Sequence, residues 1–193
     1  QFNSLGESLT NLKTNILQET TSAVETINTL AAEVAVANGK IQDIEILGGN
    51  ANNLRDQRDH IISKLSDYIG VQTQKRENGV VDVLAAGIPI VLGTRTVELA
   101  VGNPTTTTIG LGAADSSIIS ASIEGGKTGG LINLYNNLVA DIQTDLDTLA
   151  QEIVQKVNDY HAQGVGSDGS FTQKTGWIIA DADLDELEPP VVD

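Results

Sequence analysis

FNSLGESLTNLKTNILQETTSAVETINTLAAEVAVANGKIQDIEI, residues 2–46, is the stretch that decides the fold. Its apolar residues recur every three or four positions, the spacing of one face of a helix. A helix of about 40 residues would extend roughly 60 Å, and a rod of that length usually lies against other rods. The Asn38-Gly39 pair is the weakest point of the pattern and a candidate kink. The apolar stripe comprises Phe2, Leu5, Leu9, Leu12, Ile16, Ala23, Ile27, Leu30, Val34, Ala37, Ile41 and Ile44.

The same periodicity predicts two further helices. Gly48-Gly49 ends the first helix, and a second is predicted from Asn52 to Ile69, where Gly70 stops it. A third is predicted from about Leu131 to Ala162. We expect the third helix to return along the first, so that the two stripes bury each other. Part of the first helix, near residues 2–16, is expected to await a partner segment.

Residues 71–125 have the pattern of strands. Asn78-Gly79 separates two alternating runs, a strong hairpin signal. The remaining runs are short, β-branched and separated by Gly, Asn, Pro or Asp. The predicted strands are 71–76, 80–84, 89–92, 96–101, 106–111 and 118–123.

The expected fold class is therefore α+β, a long-helix bundle of about three helices with an inserted small antiparallel β module. Residues 1–70 and 126–164 form the bundle, and 71–125 form the β module at one end of it. Residues 165–193 are interpreted as a loop or extended tail with one strand near 176–180. This tail is either the start of a further domain or the point where the chain was cut.

Composition excludes several classes of function. The formal net charge of −15 argues against nucleic acid and anionic membranes, which both need clustered Lys and Arg. With no Cys, disulfides, thiol nucleophiles and cysteine metal sites are excluded. The chain also has no Met and begins inside a predicted helix, from which we expect an excised internal fragment.

Four motifs occur in order along these elements. The first is Asn53-Leu54-Arg55-Asp56-Gln57-Arg58-Asp59, and the second is Pro89-Ile90-Val91-Leu92-Gly93. The third is Gly125-Gly126-Lys127-Thr128-Gly129-Gly130-Leu131-Ile132. The fourth combines Leu149-Ala150 with Val157-Asn158-Asp159-Tyr160-His161-Ala162-Gln163-Gly164. Over about residues 1–170 the chain resembles the flagellar hook-associated protein 1 family, except that Arg55 stands where that family more often has an apolar residue.

The resemblance implies a secreted structural subunit at the junction between hook and filament. It implies contacts with the hook protein, with a filament-side hook-associated protein and with further copies of the chain. It also implies export through the flagellar apparatus, no enzyme activity and no cofactor. The isolated chain is expected to be a monomer, because the terminal segments of such proteins are absent from it.

Two short stretches are candidate sites for assembly. Arg55, Asp56, Arg58 and Asp59 form a dense charge run on the second helix, which is interpreted either as a solvated face or as an ion-pair contact with a neighbouring subunit. Gly125, Gly126, Gly129 and Gly130 are interpreted as a hinge between the β module and the third helix.

Two other functions stay open at this point. One is a different extracellular coiled-coil or adhesin-type binding module, which shares the long helices. The other is a nucleotide-binding protein, because Ala121–Thr128 fits a relaxed phosphate-loop pattern between a strand and a helix. Glu124 would place a carboxylate beside the phosphates, which disfavours this second function. No metal site is expected, since the acidic tail residues Asp181, Asp183, Asp185 and Glu186 lack the spacing of a calcium loop.

Overall fold

The computed structural model describes residues 2–103, 105, 107–116, 120–121 and 123–163, together with four short strands beyond residue 164. Side chains are described as far as residue 161. The contacts divide the chain into one unit of residues 3–143 and a second of residues 144–193. The predicted tail strand and the acidic residues 181–186 lie largely outside the described residues.

Helix α1 spans Phe2–Ile46 without interruption and has 45 residues. At 1.5 Å per residue this is about 67 Å of helix. The candidate kink at Asn38-Gly39 is wrong, because both residues are helical. Asn38 is fully buried, and its side chain bonds to the β module instead of disturbing its own helix. The buried side of α1 runs from Ile16 to Ile41.

Helix α2 spans Asn52–Tyr68 and leads directly into a four-stranded antiparallel sheet. The strands are β1 (Val71–Lys75), β2 (Val81–Ala85), β3 (Ile88–Leu92) and β4 (Arg95–Thr96), paired in chain order. The β1–β2 turn contains Asn78 and Gly79, both with positive φ, as the predicted hairpin requires. Strands β2 and β3 are the two inner strands, and β2 is buried at four of its five residues, whereas β1 is exposed at four of its five.

A second, two-stranded sheet completes the β module. It pairs β5 (Leu99–Gly102) with β6 (Gly110–Ala113), and Leu111 also bridges to Ser120. The strands predicted at 96–101 and 106–111 are thus present with shifted ends. Within the predicted strand 118–123, the described residues include one β-bridge, between Ser120 and Leu111.

The last helical run begins earlier than the glycine pattern suggested. Helix α3 covers Gly126–Asn133, a π-helical turn covers Leu134–Leu138, and α4 covers Val139–Gln163. Five of the six residues Gly125–Gly130 are therefore helical, and the loop expected there is reduced to Gly125. Neighbouring backbone approaches this stretch closely at Gly126 and Gly129.

The core of the first unit lies between α1, α2 and the β module. It contains Ile27 and Val34 of α1, Leu65 of α2, Val83 of β2 and Ile132 of α3, all at most 1% exposed. The β module contacts α1 at Asn28 and Asn38, whereas the third helical run contacts α1 at Lys13 and Glu19. The expected position of the β module at one end of a helix pair stays a prediction. The buried side of α1 faces the module and α2, and Ile132 of α3 shares the same core.

The apolar stripe of the last helix is also not buried as expected. Val139 is 1% exposed, but Ile142 is 40% exposed. In the second unit, α4 exposes Leu149, Ile153 and Val157 by 43–49%. The mutual burial of the first and third stripes is therefore wrong for these residues.

The second unit contains the rest of α4 and two short strand pairs. The strands β7 (Val165–Gly166) and β8 (Gly169–Ser170) pair with each other. Likewise, β9 (Ile178–Ile179) pairs with β10 (Leu187–Glu188). Across the part of the chain that the structure describes, no helix has the length and apolar content to cross a membrane. The α+β class, with three helical runs and a small antiparallel module, is confirmed.

Candidate assembly surfaces

The charge run on α2 begins with an arginine that ties α2 to the end of α1. The Nη2 of Arg55 donates a hydrogen bond to Glu45 Oε2 at 2.6 Å. The Glu45 side chain is only 12% exposed, so the pair lies against the core. This hydrogen bond raises the pKa of Arg55, which keeps its guanidinium charged. The contact fixes the two-helix corner around residues 47–51.

The second arginine of the run, Arg58, is buried and forms hydrogen bonds within the chain. Arg58 is 5% exposed, and its Nη1 donates to the carbonyl of Gly79 at 2.6 Å. Its Nε and Nη2 donate to Asp59 Oδ1 at 3.1 and 2.9 Å. The arginine therefore joins α2 to the tip of the β1–β2 hairpin. A buried guanidinium needs such partners, because an unpaired buried charge is costly.

The acidic members of the run face outward. Asp56 and Asp59 are exposed, and Asp59 has one oxygen engaged by Arg58. The structure thus separates the four residues into two arginines that hold the fold and two carboxylates on the surface. A contact with a neighbouring subunit through Asp56 and Asp59 stays a prediction.

The glycine stretch packs against the end of α2. Gly125 and Gly126 have φ of 81° and 64°, a region that side-chain-bearing residues rarely adopt. A Cβ on Gly126 would collide with the backbone of Tyr68 and Ile69. A Cβ on Gly129 would lie 2.9 Å from the carbonyl oxygen of Ile123. These three glycines allow backbone to meet backbone, whereas a Cβ on Gly130 would meet nothing within 4 Å.

The packing of Gly125 and Gly126 against residues 68–70 argues against the nucleotide-binding alternative. In a phosphate loop, the backbone amides ahead of the helix surround the anion. Here the chain of residues 68–70 occupies the space beside Gly125 and Gly126. Lys127, which would reach the phosphates, instead pairs with Glu19 of α1, and this hydrogen bond raises the pKa of Lys127. The hinge role of the four glycines stays a prediction.

Three asparagines attach the helices to the β module, and sequence reasoning missed them. Asn28 accepts from the Leu99 amide at 2.8 Å and donates to the Leu99 carbonyl at 2.9 Å. Asn136, in the π-helical turn, does the same with Ile109, with both distances 2.8 Å. An amide side chain has one acceptor and one donor group, so it can pair with a strand residue as a neighbouring strand would. We call this arrangement an asparagine clamp.

The third clamp is the most buried. Asn38 accepts from the Val81 amide at 3.2 Å and donates to the carbonyls of Val81 and Gly93 at 2.7 Å each. Its side chain therefore holds β2 and the β3–β4 turn against α1. The sequence does contain a signal for this role, because the helical spacing places Asn38 in the apolar stripe between Val34 and Ile41. A polar residue at such a position needs a buried partner.

The described residues do not form a metal site. No group of three or more His, Cys, Asp or Glu side chains among them converges as metal ligands would. His60 is exposed on α2 and His161 is exposed on α4. The prominent surface features are instead apolar. In α1, Phe2, Leu5 and Leu12 are 38–52% exposed, at the end where a partner segment was expected.

Comparison with known proteins identifies what this architecture is similar to. The profile of the family described as "Flagellar hook-associated protein FlgK helical domain" matches residues 1–175. Flagellar hook-associated protein 1 of Bacillus subtilis is 26% identical over 197 residues, covering 87% of this chain and 39% of that protein. Its namesake in Salmonella typhimurium is 28% identical, covering 77% of this chain and 29% of that protein.

A solved structure shows the same similarity in three dimensions. It is described as the flagellar hook junction protein FlgK from Burkholderia pseudomallei. It superposes with a TM-score of 0.73 at 26% identity, covering 92% of this chain and 34% of that one. The chain thus spans between 29% and 39% of the length of these relatives.

Proposed function

The chain belongs to the family of the flagellar hook-associated protein FlgK helical domain, and from this we propose that it is a structural part of the junction between flagellar hook and filament. The observation that carries the proposal is the family match over residues 1–175, together with the likeness to a solved hook junction protein. A fold alone does not fix a function, but here sequence and fold agree over most of the chain.

The mechanism of such a part is mechanical. A junction subunit transmits torque, so its elements must not slide against each other under load. The clamps of Asn28, Asn38 and Asn136 support this role, because each joins a helix to the β module by directional hydrogen bonds. Arg55 and Arg58 add two further ties, to α1 and to the hairpin.

The partners follow from the position of a junction. The chain contacts the hook protein on one side, a filament-side hook-associated protein on the other, and further copies of itself around the ring. It works outside the cell, after export through the flagellum. It catalyses no reaction and requires no cofactor. The net charge of −15 favours solubility in transit.

The nucleotide alternative has a direct check. A thermal-shift measurement with ATP and Mg²⁺ is expected to leave the unfolding midpoint unchanged, for the chain and for Lys127→Ala alike. A stabilisation that Lys127→Ala abolishes would contradict the structural role, since ligand binding raises the midpoint by mass action.

The experiment that tests the function is deletion of the gene in the bacterium that encodes the chain. An adapter is needed after the hook is complete and before the filament begins. The deletion is therefore expected to leave cells with hooks of normal length, no filaments and filament subunits released into the medium. A plasmid copy should restore the filaments. Normal filaments and normal swimming in the deletion strain would refute the proposed function.

A further inference from the structure

The chain contains two Asn-Gly pairs, and the fold places them in different surroundings. Asn38-Gly39 lies inside the uninterrupted helix α1, whereas Asn78-Gly79 forms the turn of the β1–β2 hairpin. An asparagine followed by glycine has a chemistry of its own, because glycine has no side chain to keep its backbone nitrogen away from the asparagine side chain. The surroundings of each pair determine where that chemistry occurs.

The reaction is the loss of ammonia from the asparagine side chain. Hydroxide removes the proton of the glycine amide, and the glycine nitrogen attacks Cγ of the asparagine. A bond from this nitrogen to Cγ forms, the bond from Cγ to the side-chain nitrogen breaks, and ammonia leaves with a proton from water. Water then opens the cyclic imide, at Cγ to give aspartate or at the backbone carbonyl to give isoaspartate. Hydroxide and water are the co-reactants, and no atom is oxidised or reduced.

At Asn78 the reacting groups are open to solvent. Asn78 is exposed and has a φ of 52°, and the φ of Gly79 is 68°. Within the described part of the chain, neither the Asn78 side chain nor the Gly79 amide forms a hydrogen bond. The turn is closed by a long hydrogen bond, from the Val80 amide to the Glu77 carbonyl at 3.3 Å. The rotation that brings the Gly79 nitrogen to Cγ of Asn78 therefore begins by breaking one weak contact.

At Asn38 these conditions are reversed. Asn38 is 0% exposed, and its side-chain nitrogen donates to the carbonyls of Val81 and Gly93 at 2.7 Å each. Gly39 is a helical residue of α1, so rotation of its amide would break the helix. Attack on Asn38 thus requires the helix and the asparagine clamp to open together. Such openings are rare for buried parts of a fold.

We propose that Asn78 is a modification site of the folded chain, which deamidates spontaneously in water while Asn38 is protected. The surroundings accept the aspartate product. The guanidinium groups of Arg76 and Arg95, together with the Glu77 carboxylate, line the same cavity of about 600 Å³ as Asn78. Aspartate also tolerates a positive φ. A carboxylate at position 78 is thus compatible with the hairpin.

The isoaspartate product has a different consequence. It adds one methylene group to the main chain between positions 78 and 79, where a two-residue turn sets the register of both strands. The Gly79 carbonyl accepts from the buried Arg58 at 2.6 Å, and the longer main chain displaces this carbonyl. The guanidinium then loses a partner inside the fold. The modification therefore loosens the tie between the hairpin and α2, and it does so independently of the proposed function.

Peptide mapping of the aged chain tests the proposal. The 193-residue chain is incubated at mildly alkaline pH, with and without urea, and then digested with trypsin. Trypsin cuts after Lys and Arg, so the two pairs fall in separate peptides, 14–40 and 77–95. In the folded chain we expect Asn78 to convert to the acid at least about tenfold faster than Asn38, as measured by mass spectrometry with fragmentation. In urea the two sites should convert at similar rates, because nothing holds either of them.

Two results would overturn the proposal. One is an unchanged Asn78 in the folded chain when the urea sample converts it. The other is equal conversion of Asn38 and Asn78 in the folded chain. The matched control is Asn78→Asp, whose peptide 77–95 has no other asparagine and should show no change of mass.

The same variant separates the new charge from the lengthened main chain. Asn78→Asp should unfold within about 2 °C of the unmodified chain, since its main chain is unaltered. The isoaspartate form, isolated by ion exchange from the aged sample and identified with an isoaspartyl methyltransferase, should unfold several degrees lower. If the isoaspartate form unfolds at the same temperature as Asn78→Asp, the consequence for the Arg58 contact is wrong.

Discussion

Asparagine side chains do for this molecule what additional strand neighbours do in a larger sheet. The β module has short edges whose amides and carbonyls need partners, and the clamps of Asn28, Asn38 and Asn136 supply them from the helices. At each clamp one side-chain amide pairs with both the backbone amide and the backbone carbonyl of one residue of the β module. In the sequence, nothing sets Asn28 and Asn136 apart from the other asparagines of the helices. Asn38 alone is distinguished, because its spacing from Val34 and Ile41 places it in the apolar stripe.

The most buried clamp should be the most costly to remove. Asn38→Ala leaves the Val81 amide and the carbonyls of Val81 and Gly93 without partners in the core. We expect the free energy of unfolding to fall by about 2–4 kcal/mol. Urea denaturation followed by circular dichroism measures it. Asn15→Ala, at an exposed position of the same helix, is the control and should change stability by less than about 0.5 kcal/mol.

In the charge run on α2, we also expect the buried residue to matter for stability and the exposed residue not to. Arg58→Ala removes the donor to the Gly79 carbonyl and is expected to destabilise the chain by about 1–3 kcal/mol. Asp56→Ala, exposed two residues earlier, should leave stability unchanged. If Asp56 contacts a neighbouring subunit, Asp56→Arg in the full-length protein should reduce filament formation in swimming assays. Loss of stability in Asp56→Ala would refute this division.

At the scale of elements, periodicity predicted the helices well and the packing poorly. The long first helix, the second helix and the hairpin at Asn78-Gly79 were all expected, because each depends on local spacing or turn chemistry. The elements that cover the α1 stripe were not all expected, because an apolar stripe indicates that a face is buried but not which element packs on it. The β module shares the core with the α1 stripe, and the first part of the third helical run also lies beside α1, where Lys13 contacts Gln143 and Tyr135.

The hinge role of the glycine stretch stays a prediction, but the structure shows a second reason for glycine at these positions. Consecutive glycines indicate conformational freedom in a sequence, yet they equally allow close approach of two backbones. At Gly126 the second reason applies, because the chain at Tyr68 and Ile69 leaves no space for a side chain. No periodicity in the sequence reports such a long-range contact.

Two substitutions in this stretch should have opposite effects. Gly126→Ala adds a Cβ at φ 64° against the backbone of α2, and we expect a loss of at least about 2 kcal/mol. Gly130→Ala adds a Cβ in open space within a helix and should stabilise the chain by up to about 1 kcal/mol. Thermal unfolding of both variants measures the difference. Equal effects would mean that the stretch is a flexible hinge and not a packed corner.

At the scale of the whole molecule, the surface is what remains to be explained. Exposed apolar side chains occur at the start of α1 and along α4, and such groups of side chains are typical of contact surfaces. The chain spans less than half the length of the two hook-associated proteins with which it was compared.

The chain alone should be a monomer when dilute. At concentrations on the order of 10 µM, sedimentation velocity is expected to show one species with the mass of a single chain, 20.3 kDa. The reason is that contacts in a lattice hold through many copies acting together, and a dilute single chain has no such set of neighbours. A stable closed ring at this concentration would contradict the expectation.

The central claim is the position of this protein in the flagellum, and immunogold electron microscopy tests it most directly. Antibodies raised against the 193-residue chain would be applied to intact flagella from the encoding bacterium, with serum absorbed by the chain as the control. A junction subunit predicts gold at one narrow band where the hook meets the filament. Labelling along the whole filament, or no labelling of flagella that bind antibodies against the filament protein, would contradict the account.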